Sequence, residues 1–213
     1  MANQLGNFQQ IITQFILIVF SVVLGLYLSE RIEDQKNKKD SEKLLTTIKA
    51  EVQDNAKLME YYLPYHAEIE VKMDSLAQVP EFVEAFIDDK YILFEAILTR
   101  GNFMARRPAN DAWDIAKSHP LVVNVDYDKW VALSRIYNQQ ELTFQPAVDM
   151  IGLMESRDVN APAEAAANLE LMAQKMREFV SREKQLVYYY RSAQEVLDLN
   201  YEEEEVAEVD GEI

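Results

Sequence analysis

Between Phe8 and Ser29 the chain reads FQQIITQFILIVFSVVLGLYLS, and no side-chain charge occurs anywhere from Met1 to Ser29. As an α-helix rising 1.5 Å per residue, Ile11 to Leu28 reaches roughly 27 Å, close to the ~30 Å hydrocarbon core of a bilayer. Tyr27 falls where an interfacial aromatic belongs. The spacing therefore predicts a membrane-spanning helix over 11–29, preceded by a short segment 1–10. A secretory signal peptide would need basic residues ahead of the apolar run and a small-x-small cleavage site after it. Met1 to Gln10 contains no Lys or Arg, and the run ends in Leu26-Tyr27-Leu28-Ser29-Glu30. A buried core helix, the other alternative, would usually be shorter and show a polar face.

Gln14, Ser21, Gly25 and Ser29 are separated by seven, four and four residues and share one side of that helix. Helices associate in lipid by close backbone approach at small residues and by hydrogen bonds between polar ones, so the stripe predicts a helix–helix contact within the membrane. The competing reading is composition alone, since Ser and Gly are common in membrane helices.

Beyond the anchor, only five Gly and six Pro occur in 213 residues, while strong helix formers fill long uninterrupted stretches. An all-α fold follows. In it the anchor helix continues through a charged juxtamembrane stretch, 30–43, into a helical bundle domain, 44–197, packed in antiparallel fashion. The formal net charge is −16. Half of it lies in 198–213, which holds eight acids and no base and reads as a disordered acidic tail. Such a balance argues against nucleic-acid binding, which relies on clustered Lys and Arg. With no cysteine, thiol catalysis, disulfides and thiolate metal sites are excluded.

Leu44, Leu45, Ile48, Val52, Met59 and Leu63 form one apolar stripe, predicting that the anchor helix runs on to a kink or short break at Pro64. Ile69, Met73 and Leu76 resume the spacing. Phe82, Phe86, Leu93 and Ile97 predict a second helix from Glu81 to Leu98, closed near Gly101. Asn110 is positioned to cap a short helix bearing Trp113, Ile115 and Ala116, and Asp126 or Asp128 to start the next. That next helix presents Trp130, Leu133, Ile136 and Tyr137, then Val148, Ile151 and Met154 beyond a bend at Pro146. Ser156 to Pro162 reads as a loop. A last helix, Ala163 to about Leu197, carries Leu169, Met172, Met176, Phe179, Leu186 and Tyr190 on one face.

No constellation names a reaction, so no catalytic residue, metal ligand or cofactor is assigned. His66 and His119 are far apart in sequence and lack an acid at the spacing of a zinc-binding helix. Asp88-Asp89 and Glu202 to Glu205 read as solvated charge. Arg100, Arg106 and Arg107 around Phe103 suggest either an anion-binding patch or pairing with the surplus carboxylates. Trp113, Trp130 and Tyr137 suggest either a pocket or aromatic core.

The anchor, its charged continuation and the segments LLTTIKAEVQDN, NDAWDIAKS and LSRIYNQQ give the chain a resemblance to uncharacterised bacterial, Bacteroidetes-type, single-pass membrane-anchored helical proteins. It extends over 15–141 and rests on Asn55, Trp113, Ala116, Lys117, Ser118, Tyr137 and Gln140. The resemblance implies a bacterial inner-membrane protein and carries no activity with it. The function expected is that of a non-enzymatic scaffold or partner-binding subunit of a membrane complex; the alternative is a sensor-like ligand-binding bundle. Five Lys or Arg within fifteen residues after the span place the soluble domain on the cytoplasmic side, with a periplasmic domain as the alternative.

Overall fold

The computed structural model describes residues 2–88, 91–92, 97–155 and 165–199. Its first helix, α1, runs without interruption from Ala2 to Leu76, about 110 Å at 1.5 Å per residue. This one helix serves two environments. From Thr13 to Asn37 its side chains are almost all exposed, including the whole apolar run to Leu28, whereas Ile48, Val52, Ala56, Met59, Ile69 and Met73 are buried in the bundle. It is long and apolar enough at its N-terminal end to cross a membrane. At the end of that stretch Arg31 Nε donates to the Tyr27 hydroxyl at 3.1 Å and the guanidinium lies over the Tyr27 ring. An aromatic and a long cationic side chain paired in this way suit the level of the lipid headgroups.

Neither internal proline divides its helix. Pro64, where a kink or break is expected from sequence, lies inside α1 on its solvent side, where water can serve the Glu60 carbonyl that the missing N–H leaves free. Pro146 lies inside α4 (Tyr127–Glu155) and is buried, so its freed carbonyl needs a protein donor. Arg182 supplies it, its Nη1 donating to the Leu142 oxygen at 2.6 Å.

The second expected helix is a correction. The α2 helix covers only Pro80–Phe86, and the chain turns into a two-residue antiparallel ladder, β1 (Ile87–Asp88) with β2 (Tyr91–Ile92), pairing Ile87 with Ile92 and Asp88 with Tyr91. Aspartates favour turns, and Ile and Tyr favour extended pairing, which here override the apolar spacing of Phe82 and Phe86. After an irregular stretch from Ile97 to Asn110 come α3 (Asp111–Ser118) and a 3-10 helix over Pro120–Asn124. Asp126 starts α4 as expected, its carboxylate accepting from the Asp128 and Lys129 amides. The chain is completed by α5 (Ala165–Ser192) and the short α6 (Gln194–Leu197). The expected loop, Ser156 to Pro162, and the tail from Asn200 lie outside the described residues.

Ion pairs fix how the long helices run. Asp74 and Glu60 on α1 are fourteen residues apart and meet Arg177 and Arg191 on α5, also fourteen apart but in the opposite order, so α1 and α5 are antiparallel. Asp149 with Lys175, and Gln140 with Tyr190, show the same for α4 and α5. The domain is an all-α bundle with α1, α4 and α5 at its centre. Leu169, Met172, Met176, Phe179, Leu186 and Tyr190 are all buried, as their spacing predicts. On the far half of α4 the inward face is shifted by one residue: Ala147 and Met150 are buried, while Val148 and Ile151 are exposed. The folded part also reaches past Leu197. Leu199 is buried, and Asp198, in a left-handed conformation, pairs with Lys49 and Lys129.

Candidate functional site

The irregular stretch from Arg100 to Asn110 has no helix or sheet to satisfy its backbone, and α1 provides the partners instead. Tyr65 donates its hydroxyl to the Asn102 carbonyl at 2.8 Å, and the Ala105 amide donates to the Tyr62 hydroxyl at 3.0 Å. Asn55 pairs with Ala109 in both directions, Nδ2 donating to the carbonyl at 2.7 Å and Oδ1 accepting from the amide at 2.8 Å. Glu51 then takes the N-terminus of α3, accepting from the Ala112 amide at 2.8 Å and the Trp113 amide at 3.4 Å. Asn110 occupies the position expected of the cap but makes no capping bond; it donates to Asp114 at 2.9 Å. A carboxylate at a helix N-terminus is favoured by both the free amides and the helix dipole, and Glu51 reaches it from a neighbouring helix.

Helix α4 closes the same network. Tyr137 donates to Glu51 at 2.6 Å, and burial together with this bond holds its phenol far above the usual tyrosine range. Gln140 donates to the carbonyls of Pro108 and Ala109 and accepts from Tyr190 at 2.8 Å. The segments LLTTIKAEVQDN, NDAWDIAKS and LSRIYNQQ thus meet at one place, through Asn55, Trp113, Tyr137 and Gln140.

Of the aromatics proposed as a pocket, Trp113 and Tyr137 are buried and stack at 4.9 Å with planes 2° apart, and Trp130 leans on Trp113 at 4.5 Å. They form core. An open cleft of about 420 Å3 lies beside them, between the stretch at Arg107 to Asn110, α3 and α4. Trp113 and Tyr137 contribute to its lining and Trp130 does not. The three arginines do not converge. Arg100 lies over Tyr61 and Tyr65, Arg107 over Phe144, and Arg106 borders a different depression beside Asn55 and Asp54.

A second polar centre is His66. It is fully buried, with Nδ1 2.8 and 2.9 Å from the two carboxylate oxygens of an equally buried Glu183 and Nε2 2.9 Å from the Phe103 carbonyl. Its ring stacks on Phe103 at 4.4 Å and on Tyr62 at 5.6 Å. Both ring nitrogens face oxygen acceptors, so the pair must hold a proton between Nδ1 and the carboxylate. Burial raises Glu183 above the usual carboxylate range, and the His66 hydrogen bond opposes that shift only in part. Enclosed in this way, the pair joins α1, α5 and the irregular stretch. His119 has a separate, local role, its Nδ1 accepting from the Leu121 amide at the start of the 3-10 helix. Among the described residues no group of three or more His, Asp or Glu is placed to hold a metal ion.

The stripe of Gln14, Ser21, Gly25 and Ser29 is exposed along its length. An added Cβ at Gly25 would meet nothing within 4 Å, and the Ser21 hydroxyl donates to the Leu17 carbonyl at 2.7 Å on its own helix. Ser21 therefore offers a small surface more than a free donor.

Sequence spacing misses the His66–Glu183 pair because its members lie 117 positions apart. The single signal available was that each sits at a helical interval from apolar neighbours that point inward, His66 from Ile69 and Glu183 from Phe179. No family model matches the chain, and neither does any curated protein or any solved structure. The molecule is defined by its own architecture: a helical bundle built onto a helix long and apolar enough to cross a membrane.

Proposed function

We propose that the protein is a single-pass bacterial inner-membrane protein whose helical domain acts, without catalysis, as a scaffold or partner-binding subunit of a membrane complex. The observation that carries this reading is the continuity of α1. The helix that presents an exposed apolar surface at Phe15 to Leu28 also supplies Ile48, Val52, Met59, Ile69 and Met73 to the bundle core. A rotation or displacement of the membrane segment is therefore passed to the domain without a hinge. A partner helix in the membrane, against Gln14, Ser21, Gly25 and Ser29, fits this arrangement. The bases after the span favour a cytoplasmic domain. Copurification from native membranes tests the reading: a stoichiometric partner is expected, and a protein that emerges alone and monomeric under mild solubilisation argues against it. A phosphatase fused after Ile213 that is active in the periplasm would overturn the cytoplasmic assignment.

The second reading, a ligand-binding bundle, is favoured by the cleft at Arg107 to Asn110. Its walls are tied to α1 through Glu51 and Asn55, so that occupancy there would bear directly on the anchor helix.

A further inference from the structure

We infer that the cleft between the Arg107–Asn110 stretch, α3 and α4 binds a small zwitterion bearing a carboxylate and an ammonium group, an α-amino acid or a short peptide. This rests on the ligand-binding reading and specifies its ligand.

The charges around the cleft divide into those already engaged and those left over. Lys117 pairs with Asp114 at 2.8 Å, and Asp114 also accepts from Asn110. Arg107 and Glu141 border the same cavity and form no ion pair with each other or with any other described residue. Arg107 has only the Phe144 ring beneath it, 5.7 Å from the guanidinium to the ring centroid. One cation and one anion, each without an ion partner and bordering one cavity, suit a ligand that brings the opposite charges on a single small body. The guanidinium fork matches a carboxylate, and the Glu141 carboxylate matches an ammonium. At about 420 Å3 the cleft is within the usual range for small-molecule sites and admits an amino acid or a dipeptide. Phe144 and Val148 offer apolar contact for a side chain. The Arg107 wall is held in place beforehand, since Gln140 and Asn55 fix the backbone at Pro108 and Ala109. Little backbone ordering is then left to oppose binding.

The test is a thermal-shift titration of the full-length protein in detergent with leucine, glutamate and dialanine. N-acetyl-leucine lacks the ammonium and leucine amide lacks the carboxylate, and both serve as probes of the charge requirement. A free amino acid or dialanine should raise the melting temperature by roughly 5 °C or more at a hundredfold excess over its Kd. The two blocked forms should not. Arg107→Gln and Glu141→Gln should each weaken binding about tenfold or more, since each removes a charge-assisted hydrogen bond. Both positions are exposed, and an unchanged melting temperature without ligand confirms that the fold is retained. Blocked forms that bind as well as the free ones overturn the charge assignment. If no probe shifts the protein while a partner still copurifies, the cleft proposal fails and the scaffold reading stands.

Discussion

Glu183 and His66 face each other from α5 and α1 with both carboxylate oxygens within 2.9 Å of Nδ1, and neither side chain reaches solvent. Removing one partner strands the other in an apolar enclosure of Phe103, Phe179 and Tyr62. Breaking a buried pair in this way costs about 3 to 5 kcal/mol. Glu183→Leu is expected to lower stability by that amount, while the double change to Leu at 183 and Phe at 66 recovers much of it. A denaturant midpoint for Glu183→Leu equal to the wild type would show that the pair holds nothing together.

The same pair sets a pH dependence. Glu183 is raised in the folded state, so on acidification the folded protein takes up this proton before the unfolded chain does. Its contribution is complete below the ordinary glutamate value of about 4.3 and is lost as pH rises through the folded value. Glu183→Gln lacks this titration, so wild type should lose stability relative to the variant as pH increases across that window. Melting curves of the two at matched pH are the check, and a difference that stays flat or moves the other way refutes it.

Glu51 is expected to matter more than a surface carboxylate should. Glu51→Ala leaves the Ala112 and Trp113 amides and the Tyr137 hydroxyl without their acceptor, at a cost of roughly 2 to 3 kcal/mol. Tyr137→Phe removes one donor and should cost about 1 kcal/mol. Near-ultraviolet circular dichroism from Trp113, stacked on Tyr137, should change with Glu51→Ala, and the loss of melting temperature should be larger for Glu51→Ala than for Tyr137→Phe. A larger loss for Tyr137→Phe would reverse the assignment of Glu51 as the centre of the network.

The end of the domain is set by packing. Truncation after Leu199 should leave the melting temperature within about 2 °C of the full chain, a shift equivalent to less than ~1 kcal/mol. Truncation after Leu197 removes the buried Leu199 and the pairing of Asp198 with Lys49 and Lys129, and should lower it by about 5 °C. Equal melting of the two truncations would place the boundary back at Leu197.

In the membrane, Gly25→Leu should weaken helix association and Val22→Leu should not. The surface at Gly25 is open, and a leucine there holds a partner backbone away, forfeiting much of an interaction worth ~0.6 to 2 kcal/mol. Ser21→Leu should fall between them or match Gly25→Leu. A transmembrane-association reporter giving equal signals for all three would leave the stripe as composition alone.

Local chemistry made several features readable in advance. An uncharged apolar run needs no knowledge of its neighbours to call for lipid or enclosure, and the spacing of Ile48, Val52, Met59, Ile69 and Met73 names a helical face whatever covers it. Asp126 starts α4 with amides two and three residues away, so its role is written within one turn. Other features depended on groups distant in the chain. Pro146 is tolerated because Arg182 reaches the carbonyl it frees, and α3 is capped by Glu51 on a different helix, so that Asn110, the nearer candidate, is left for Asp114. Helix α2 stops at Phe86 because the Ile87 to Ile92 pairing competes with an apolar spacing that by itself would continue.

Periodicity and solvation along a single element suffice for the apolar run long enough to span a membrane, for the helical class and for most of the inward-facing residues. Tertiary structure decided which polar groups found partners. His66 with Glu183, Asn55 with Ala109, and Glu51 with Tyr137 are separated by 54 to 117 positions, and local spacing, which sets His66 and Glu183 on inward faces, names none of these partners. A buried polar group is admissible only when its complement arrives at hydrogen-bonding distance, and that depends on the register of α1 against α4 and α5.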